Sequence, residues 1–390
     1  MPQFWIRTRR KRFMLATLNI VARIGRWLFD KPRAGARSQK DHIRSVLVIE
    51  PWNIGDIILA MPFLAQVRAR FPEARITMLA QPVAAEILAG TGLVDDFIPA
   101  KLTWVPAQNR ASPQYDWREL RRLRKELRAR QFDVAFSCRL HVREHLLLGL
   151  SGATRRVGYT FGGGDALLTD PVAVDDPYRQ KADDWIRLLE PFGRPQPGRA
   201  PRLLISEAES ARANELLSSR GISMTDVVVG IHPGASLVEK RWPLESFREV
   251  ATALAARSDL RVVVFVEPSS YGDSLADIPG VASVKVGLRD LIALIGRCDL
   301  LVCNDSGPMH LAGALNVPTV AAFGAGIDRW YSPLGEGHEA VAAQPAQRSD
   351  PKKLDEAEVR SPAAVPVSEV LAAIHKVLQR RRVPATFSRA

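Results

Sequence analysis

The stretch that most restricts the fold lies at residues 299–315, where an apolar run stops in small polar residues and then resumes. Leu300–Cys303 predicts a short buried strand, Asp305 and Ser306 favour a helix N-cap, and Pro308 suits the first helical turn. Such a strand–loop–helix corner presents unpaired N–H groups and the positive end of a helix dipole. The sequence therefore predicts an anion site beyond the carboxyl end of a strand.

Two further corners of this kind carry polar side chains. Ser236 and Lys240 follow the apolar run Val227–Ile231, and Asp56 follows the run Val46–Ile49 at the end of Asn-Ile-Gly-Asp. Strand-like runs alternate with helical segments between these corners, which is typical of parallel α/β sheets.

The three loops occur in one order between Val46 and Phe323, and together they resemble the pattern of glycosyltransferase family nine. This is the family of the ADP-heptose:lipopolysaccharide heptosyltransferases. The resemblance implies a GT-B architecture, in which two Rossmann-like domains face each other across a cleft. It also implies that the first domain holds the acceptor and the second the nucleotide sugar.

The resemblance extends to single residues. Asp56 matches the catalytic aspartate, the base that takes the proton of the acceptor hydroxyl in an inverting displacement. The donor would be bound by residues of the second domain, namely Ser236, Lys240, Asp305, Ser306, Gly307 and His310. Asp56 equally suits a helix cap, and His310 equally suits a structural role.

The departing diphosphate needs positive charge, which Lys240 would supply, and the duty of Arg241 stays open. The sequence contains no Asp-x-Asp motif, so neither a metal nor another obligatory cofactor is predicted, and cations and helix ends would take the place of a metal. Beyond Val266 the chain departs from the glycine-rich turn of the family, so no role is assigned to Glu267 or Asp273.

Arg139, His141 and Arg143 follow the predicted strand at 133–137. Ligands of parallel sheets gather at such strand ends, and guanidinium groups bind phosphate or carboxylate in a bidentate manner. These residues are therefore candidates for contacts with an anionic glycan acceptor. A salt-bridged surface loop explains them equally well.

The net charge of +12 is concentrated at the N-terminus. Residues 1–45 hold twelve Lys and Arg against two Asp, a net +10, and the remainder of the chain is near neutral at +2. A nucleic-acid-binding body is therefore disfavoured.

Residues 4–29 combine basic side chains with apolar ones at helical spacing. Their longest uncharged piece, Phe13–Ala22, is far shorter than the roughly 20 residues of a transmembrane helix. We expect an amphipathic helix on the anionic inner face of the bacterial inner membrane, and hence a cytoplasmic, peripheral protein. A helix packed on the protein itself is the alternative. A signal peptide or twin-arginine signal fits poorly, because charges interrupt the apolar segment.

The predicted domain organisation has five parts. They are the basic extension 1–42, a Rossmann-like acceptor domain 43–190, a Pro/Gly-rich linker 191–201, a Rossmann-like nucleotide-sugar domain 202–360, and a C-terminal helix and tail 361–390. The family resemblance would fold the last helix, 367–378, back over the first domain. A further helix at 117–130 has one leucine face and seven cations, which favours a solvated surface.

The predicted function is the inverting transfer of a heptose, or a related sugar, from an ADP-sugar to a lipopolysaccharide-core or similar anionic glycan. The alternatives are a family member with another donor and a non-catalytic module that binds nucleotide sugars or tethers to membranes. A Rossmann oxidoreductase is disfavoured, because no loop has Gly-x-Gly-x-x-Gly with a downstream acidic residue. The three cysteines lie in or beside apolar runs, which favours buried thiols in a reducing compartment.

Overall fold

The computed structural model describes residues 43–100, 102, 116–139, 142–160, 164–175, 179–194, 202–324, 331–342 and 361–382. The chain divides into two compact units, Met1–Pro201 and Arg202–Ala390, and the division falls at the end of the predicted linker. The predicted amphipathic helix at 4–29 lies outside the described residues.

The first unit is a six-stranded parallel sheet with helices. Its strands are β1 (Ser45–Glu50), β2 (Arg75–Ala80), β3 (Asp96–Pro99), β4 (Val134–Ser137), β5 (Arg155–Tyr159) and β6 (Asp170–Val172). Its helices are α1 (Ile54–Leu59), α2 (Met61–Arg70), α3 (Val83–Ile87), α4 (Trp117–Ala129), α5 (Val142–Ser151) and α6 (Lys181–Ile186). The strand order is β3-β2-β1-β4-β5-β6, which is the Rossmann order.

The sequence explains a break between the first two helices. The segment after β1 has an apolar face, yet Pro62 cannot sit inside a helix without removing a hydrogen bond. The chain therefore ends α1 at Leu59 and begins α2 at Met61, where Pro62 lies in the first turn. At that position the missing N–H costs nothing, because the first N–H groups of a helix have no partner in the helix.

The second unit repeats this plan. Its strands are β7 (Val228–His232), β8 (Arg261–Phe265), β9 (Val281–Val284), β10 (Leu300–Asn304), β11 (Thr319–Phe323) and β12 (Glu339–Ala342). Its helices are α7 (Glu207–Ser218), α8 (Leu244–Ala255), α9 (Leu288–Gly296), α10 (Gly307–Ala314) and α11 (Val367–Arg382). The order β12-β11-β10-β7-β8-β9 is again the Rossmann order, counted from β7.

The central strands of both sheets read as nearly continuous apolar runs. Ser45–Glu50 and Leu300–Asn304 are buried almost throughout, as expected for parallel strands covered on both faces. Four short strands, β3, β5, β6 and β12, were not predicted. They contain charged or proline residues, which weaken the strand pattern.

Packing defines the ends of the two units. Helix α11 packs against α8, β10, β11 and β12 of the second unit, and the fold-back over the first domain that the resemblance implied stays a prediction. Its apolar residues, including Val370 and Ile374, join the core of the second sheet. Phe192, which was assigned to the linker, is buried in the first unit against Phe71 and Phe136.

Among the described residues, no helix combines the length and the apolar composition that crossing a bilayer requires.

Candidate active site

In each sheet, the strand order reverses between two neighbouring strands, and ligands of such sheets bind at that position. In the first unit these strands are β1 and β4, which pair in parallel from Val46 to Ile49. The loops that follow them carry Asp56 and Arg139. The fold thus brings together two predicted residues that are far apart in the sequence.

Arg139 is held from four sides. Its guanidinium forms an ion pair with Asp56, and its Nε donates to Glu50 Oε1 at 3.3 Å. Its Cζ lies 4.6 Å from the ring centre of Trp52 and 5.6 Å from that of Trp185. A planar, permanently charged guanidinium suits this position between carboxylates and aromatic faces. These contacts make Arg139 a partner of Asp56, and its contact with the acceptor stays a prediction.

Glu50 is fully buried at the end of β1. Burial raises the pKa of its carboxyl, Arg139 opposes the shift, and the negative charges of Asp56 and Glu144 add to it, so that the pKa is about 8. Glu144 accepts a hydrogen bond from Trp52 Nε1 at 3.2 Å, and burial raises its pKa as well. Three carboxyl groups thus surround one guanidinium, and Glu50 keeps its proton at neutral pH.

Asp56 is the third residue of α1, and its position is fixed by two contacts. Its Oδ2 accepts a hydrogen bond from the backbone N–H of Asn53 at 3.2 Å, and its Oδ1 faces Arg139. The side chain is 13% exposed. An ionised carboxylate has about four lone-pair sites, so acceptor capacity remains for a proton in transfer. Asp56 stabilises the N-terminus of α1 through its bond to Asn53, and this contact is compatible with a role as a base.

A second charged pair lies near this cluster. Lys181 at the start of α6 contacts Asp184 at 3.4 Å, and Asp56 and Arg139 both act on the lysine electrostatically. Burial lowers the pKa of Lys181 and raises that of Asp184, because each charged form loses solvation. Lys181 therefore lies within electrostatic range of the Asp56 carboxylate.

In the second unit the equivalent strands are β7 and β10, and their loops carry the predicted donor residues. Lys240 Nζ donates to Asp305 Oδ2 at 2.6 Å. Ser306 and Gly307 follow directly at the start of α10, and Ser306 Oγ donates to the carbonyl of Asn304 at 3.2 Å. The ammonium of a lysine has three N–H donors, so its bond to Asp305 leaves two for an anionic ligand.

Asn304, at the end of β10, fixes the loop that contains Ser236 and Lys240. Its Oδ1 accepts from the backbone N–H of Trp242 at 2.9 Å, and its Nδ2 donates to the carbonyl of Pro233 at 2.6 Å. The side chain is fully buried. One amide therefore holds both ends of the loop at the end of the neighbouring strand.

Arg241 and Glu267 extend the site to β8. The guanidinium of Arg241 lies 3.6 Å from Glu267 and 4.3 Å from the ring centre of Tyr271, and its Nε donates to the carbonyl of Ala235 at 3.0 Å. Glu267 fills the space where Gly234 lacks a side chain, because a Cβ at Gly234 would come within 2.1 Å of the carboxylate. The glycine is needed for this close approach.

The remaining predicted residues are placed as follows. His310 is buried in α10, Ser236 is exposed in its loop, Arg143 is half-buried on α5, and His141 lies outside the described residues. The sequence analysis did not identify Glu50, Trp52, Glu144, Lys181 and Asn304. A glutamate at the end of an apolar run was the one signal available for Glu50.

Within the described ranges, no group of three or more His, Cys, Asp or Glu is arranged to hold a metal ion. Independence of a metal stays a prediction.

The two Rossmann-like units, each with polar side chains at its central strand ends, have the architecture of the GT-B class. The family model described as Glycosyltransferase family 9 (heptosyltransferase) matches residues 120–359, more than half of the chain. The chain belongs to this family and is a glycosyltransferase enzyme.

Known relatives agree with this assignment. The chain is 26% identical over 308 residues to lipopolysaccharide heptosyltransferase 2 of Salmonella typhimurium, covering 74% of this chain and 85% of the relative. A solved glycosyltransferase family 9 structure from Veillonella parvula covers 87% of this chain and 98% of its own, with 23% identity and a TM-score of 0.71. The structure of the E. coli ADP-heptose heptosyltransferase II covers 87% and 100%, with 24% identity and a TM-score of 0.68. These likenesses confirm the predicted family and fold.

Proposed function

We propose that the enzyme transfers a heptose from ADP-heptose to a hydroxyl of a lipopolysaccharide-core or similar anionic glycan, with inversion at the anomeric carbon. The Salmonella relative is a lipopolysaccharide heptosyltransferase, and the E. coli structure is that of an ADP-heptose heptosyltransferase. The observation that supports the reaction best is the position of Asp56 at the end of a central strand, held by Arg139 and still partly exposed.

In this reaction Asp56 accepts the proton of the acceptor hydroxyl while the oxygen attacks the anomeric carbon. The ion pair with Arg139 orients the carboxylate of Asp56. The bond to the diphosphate breaks as the new bond forms, and ADP leaves with the negative charge.

Lys240 and the start of α10 stabilise that charge. The lysine supplies N–H donors next to Asp305, and the first N–H groups of α10 carry the positive end of the helix dipole. Ser236, Ser306 and Gly307 add hydroxyl and backbone donors. No metal takes part in this proposal, so chelation with EDTA is expected to leave the transfer rate unchanged.

The decisive experiment incubates the enzyme with ADP-heptose and a heptose-deficient core glycan, and measures ADP release and product mass. Asp56→Asn is expected to reduce transfer at least about 100-fold, in the range that loss of general base catalysis costs, with ADP binding by calorimetry unchanged. Asp183→Asn is the matched control, because Asp183 is an exposed aspartate on α6. Transfer by Asp56→Asn at the rate of the control would contradict the role of the base.

The same calorimetry compares ADP, UDP, GDP and dTDP. Preference for ADP supports the proposed donor, and preference for another nucleotide replaces it. A protein that binds ADP-heptose and fails to transfer it to any core glycan would be the non-catalytic alternative. The anomeric configuration of the product, read by NMR, tests inversion.

The acceptor is proposed to be lipid-linked, with the enzyme peripheral on the cytoplasmic face of the inner membrane. The basic segment at 4–29 supports this location by its sequence alone. Removal of residues 1–40 tests it by sedimentation with anionic vesicles.

A further inference from the structure

Helix α4 has a markedly unequal distribution of charge around its axis. Leu120, Leu123 and Leu127 form its buried face and pack into the core of the first unit. On one side of this face, Glu119 and Glu126 pair with Arg122 and Arg130. The cations on that side are therefore neutralised by the helix itself, and Arg130 also pairs with Asp96 of β3.

The other side of the helix carries cations without acids. At 100° per residue, it covers an arc of about 120° and runs along about 15 Å of the helix. We call this surface the cationic flank, and it consists of Arg118, Arg121, Arg124, Lys125 and Arg128, with Trp117 at its N-terminal end. All six side chains are exposed, and Trp117 is 71% exposed. Among the described residues, these five cations form no ion pair.

Such an arrangement destabilises a helix that faces only water. Arg121 lies three residues before Arg124 and four before Lys125, and Arg124 lies four before Arg128, so like charges are neighbours on the helix surface. A solvated helix of this composition usually intersperses acids, as the opposite side of α4 does.

We propose that the cationic flank of α4 is a docking surface for a lipid membrane with anionic phosphate headgroups. Clusters of four or more Lys and Arg on an amphipathic helix bind such headgroups, and tryptophan favours the boundary between headgroups and acyl chains. Arginine pairs with phosphate in a bidentate manner, which suits a surface of phosphate esters.

Two segments of the sequence before α4 provide no negative charge for the flank. Residues 1–45 carry a net +10 and residues 103–115 contain one arginine and no acid, so both would repel the flank or leave its charge unbalanced. The flank would therefore act on the same anionic surface as the N-terminal extension and add to its affinity. The inference goes beyond the proposed function, and vesicle binding needs neither donor nor acceptor, so a failure of glycosyl transfer leaves it standing.

The test uses the full chain and vesicles of phosphatidylglycerol mixed with phosphatidylcholine. The variant Arg121→Gln/Arg124→Gln/Lys125→Gln removes three cations from the flank, and glutamine preserves helix propensity. Each cation near an anionic surface contributes a factor of about five, so sedimentation with vesicles is expected to weaken by roughly 100-fold. Binding of the unchanged protein is expected to fall with salt and to vanish on pure phosphatidylcholine.

The matched control removes three exposed cations from the second unit, Arg212→Gln/Lys376→Gln/Arg380→Gln. It changes the net charge equally and is expected to bind vesicles nearly as well as the unchanged protein. Equal weakening of both variants would show that total charge alone governs binding, and no weakening in the flank variant would show that other residues suffice. Either result overturns the proposal.

Two further measurements distinguish a lipid membrane from a nucleic acid as the partner of the flank. Brominated lipids are expected to quench the tryptophan fluorescence of the unchanged protein. The quenching is expected to be smaller in Trp117→Phe. A short RNA duplex is expected to bind weakly and to compete poorly. If the flank variant loses RNA binding more strongly than vesicle binding, the surface is a nucleic-acid site and the proposal is wrong. Circular dichroism and thermal unfolding confirm that each variant is folded.

Discussion

At the scale of single residues, Glu50 places a carboxyl group at the end of a buried strand, where apolar side chains are usual. The free energy that this burial costs the folded protein depends on pH. Burial raises the pKa of its carboxyl to about 8, against 4.5 for a solvated glutamate. Below about pH 4.5 both the folded and the unfolded chain hold the proton. As the pH rises towards 8, the unfolded chain releases the proton and the folded chain keeps it, so the free energy of unfolding decreases.

Glu50→Gln removes this titration while it keeps the shape and a hydrogen-bonding group next to Arg139. We expect the variant and the unchanged protein to differ little at pH 5, and the variant to be more stable by up to a few kcal/mol at pH 8. Urea unfolding at pH 5, 6.5 and 8 measures the difference. A constant difference across these three values would show that Glu50 titrates normally.

Asn304 forms hydrogen bonds with both ends of the loop that contains Ser236 and Lys240. Asn304→Ala leaves the N–H of Trp242 and the carbonyl of Pro233 without their partner, at a cost of about 1–3 kcal/mol. Because the loop carries Ser236 and Lys240, ADP binding is expected to weaken about tenfold, which corresponds to 1.4 kcal/mol. Calorimetry and urea unfolding measure the two effects.

Asn214→Ala, in the middle of α7, provides the comparison for Asn304. It exchanges the same side chains at a half-buried helical position, where alanine is favoured. Its ADP affinity is expected to be unchanged. If Asn304→Ala binds ADP equally well, the loop keeps its position without the amide.

The sequence predicted the site unevenly, and the reason is the separation of the partners. Asp56, Lys240, Asp305 and Ser306 belong to local strand–loop–helix patterns, which can be recognised without a structure. The pairing of Arg139 with Asp56 and Glu50 joins positions more than eighty residues apart, and only the order of the strands creates it. The spacing of apolar and polar residues along the sequence does not indicate which distant residues will meet.

At the scale of elements, α10 approaches the loop at 332–334 closely, and Gly313 makes this approach possible. A Cβ at this glycine would lie 2.7 Å from the carbonyl oxygen of Leu334 and 2.9 Å from Pro333. Alanine favours a helix by about 1 kcal/mol over glycine, yet a clash with backbone atoms costs about 1–3 kcal/mol. We therefore expect Gly313→Ala to lower the thermal unfolding midpoint.

Gly149→Ala is the corresponding change in α5 of the first unit. Its Cβ would meet only the flexible side chain of Leu167, at 3.3 Å, so helix propensity should prevail and stability should stay level or rise. A Gly313→Ala protein as stable as Gly149→Ala would mean that the loop at 332–334 moves away without cost.

Strands with an uninterrupted apolar run were predicted from the sequence, and some strands with charged or proline residues were missed. β10 was predicted at 300–303 and is observed at 300–304, because Leu300–Cys303 is an uninterrupted apolar run. β3, β5, β6 and β12 escaped prediction, because pairing with a neighbouring strand compensates for their charged or proline residues. The stabilisation comes from the neighbouring strands of the sheet, so the sequence of the segment alone does not reveal it.

At the scale of the whole molecule, α11 is part of the hydrophobic core of the second unit. Val370, Ile374, Val377 and Leu378 are buried with residues of β10 and β11, and the indole N–H of Trp242 donates to the carbonyl of Val365 at 3.0 Å. Each buried aliphatic side chain contributes about 1.5–3 kcal/mol, and a domain is stable by only about 5–15 kcal/mol in total.

Truncation after Pro366 is therefore expected to unfold the second unit, with loss of ADP binding. Truncation after Arg382 keeps the whole of α11 and should leave both stability and binding unchanged. Thermal unfolding and calorimetry distinguish the two proteins. A cooperative transition and normal ADP affinity in the shorter chain would show that the second sheet is stable without its last helix.

The identical strand order of the two sheets has a consequence for how such an enzyme can change over time. The same two positions in each half present a carboxylate and a guanidinium in one case, and an ammonium and a carboxylate in the other. Substitutions at one pair leave the scaffold of its counterpart untouched, so under the proposed division of acceptor and donor between the two units the two preferences can diverge separately. New sugar specificities can arise in this way without the invention of a new architecture.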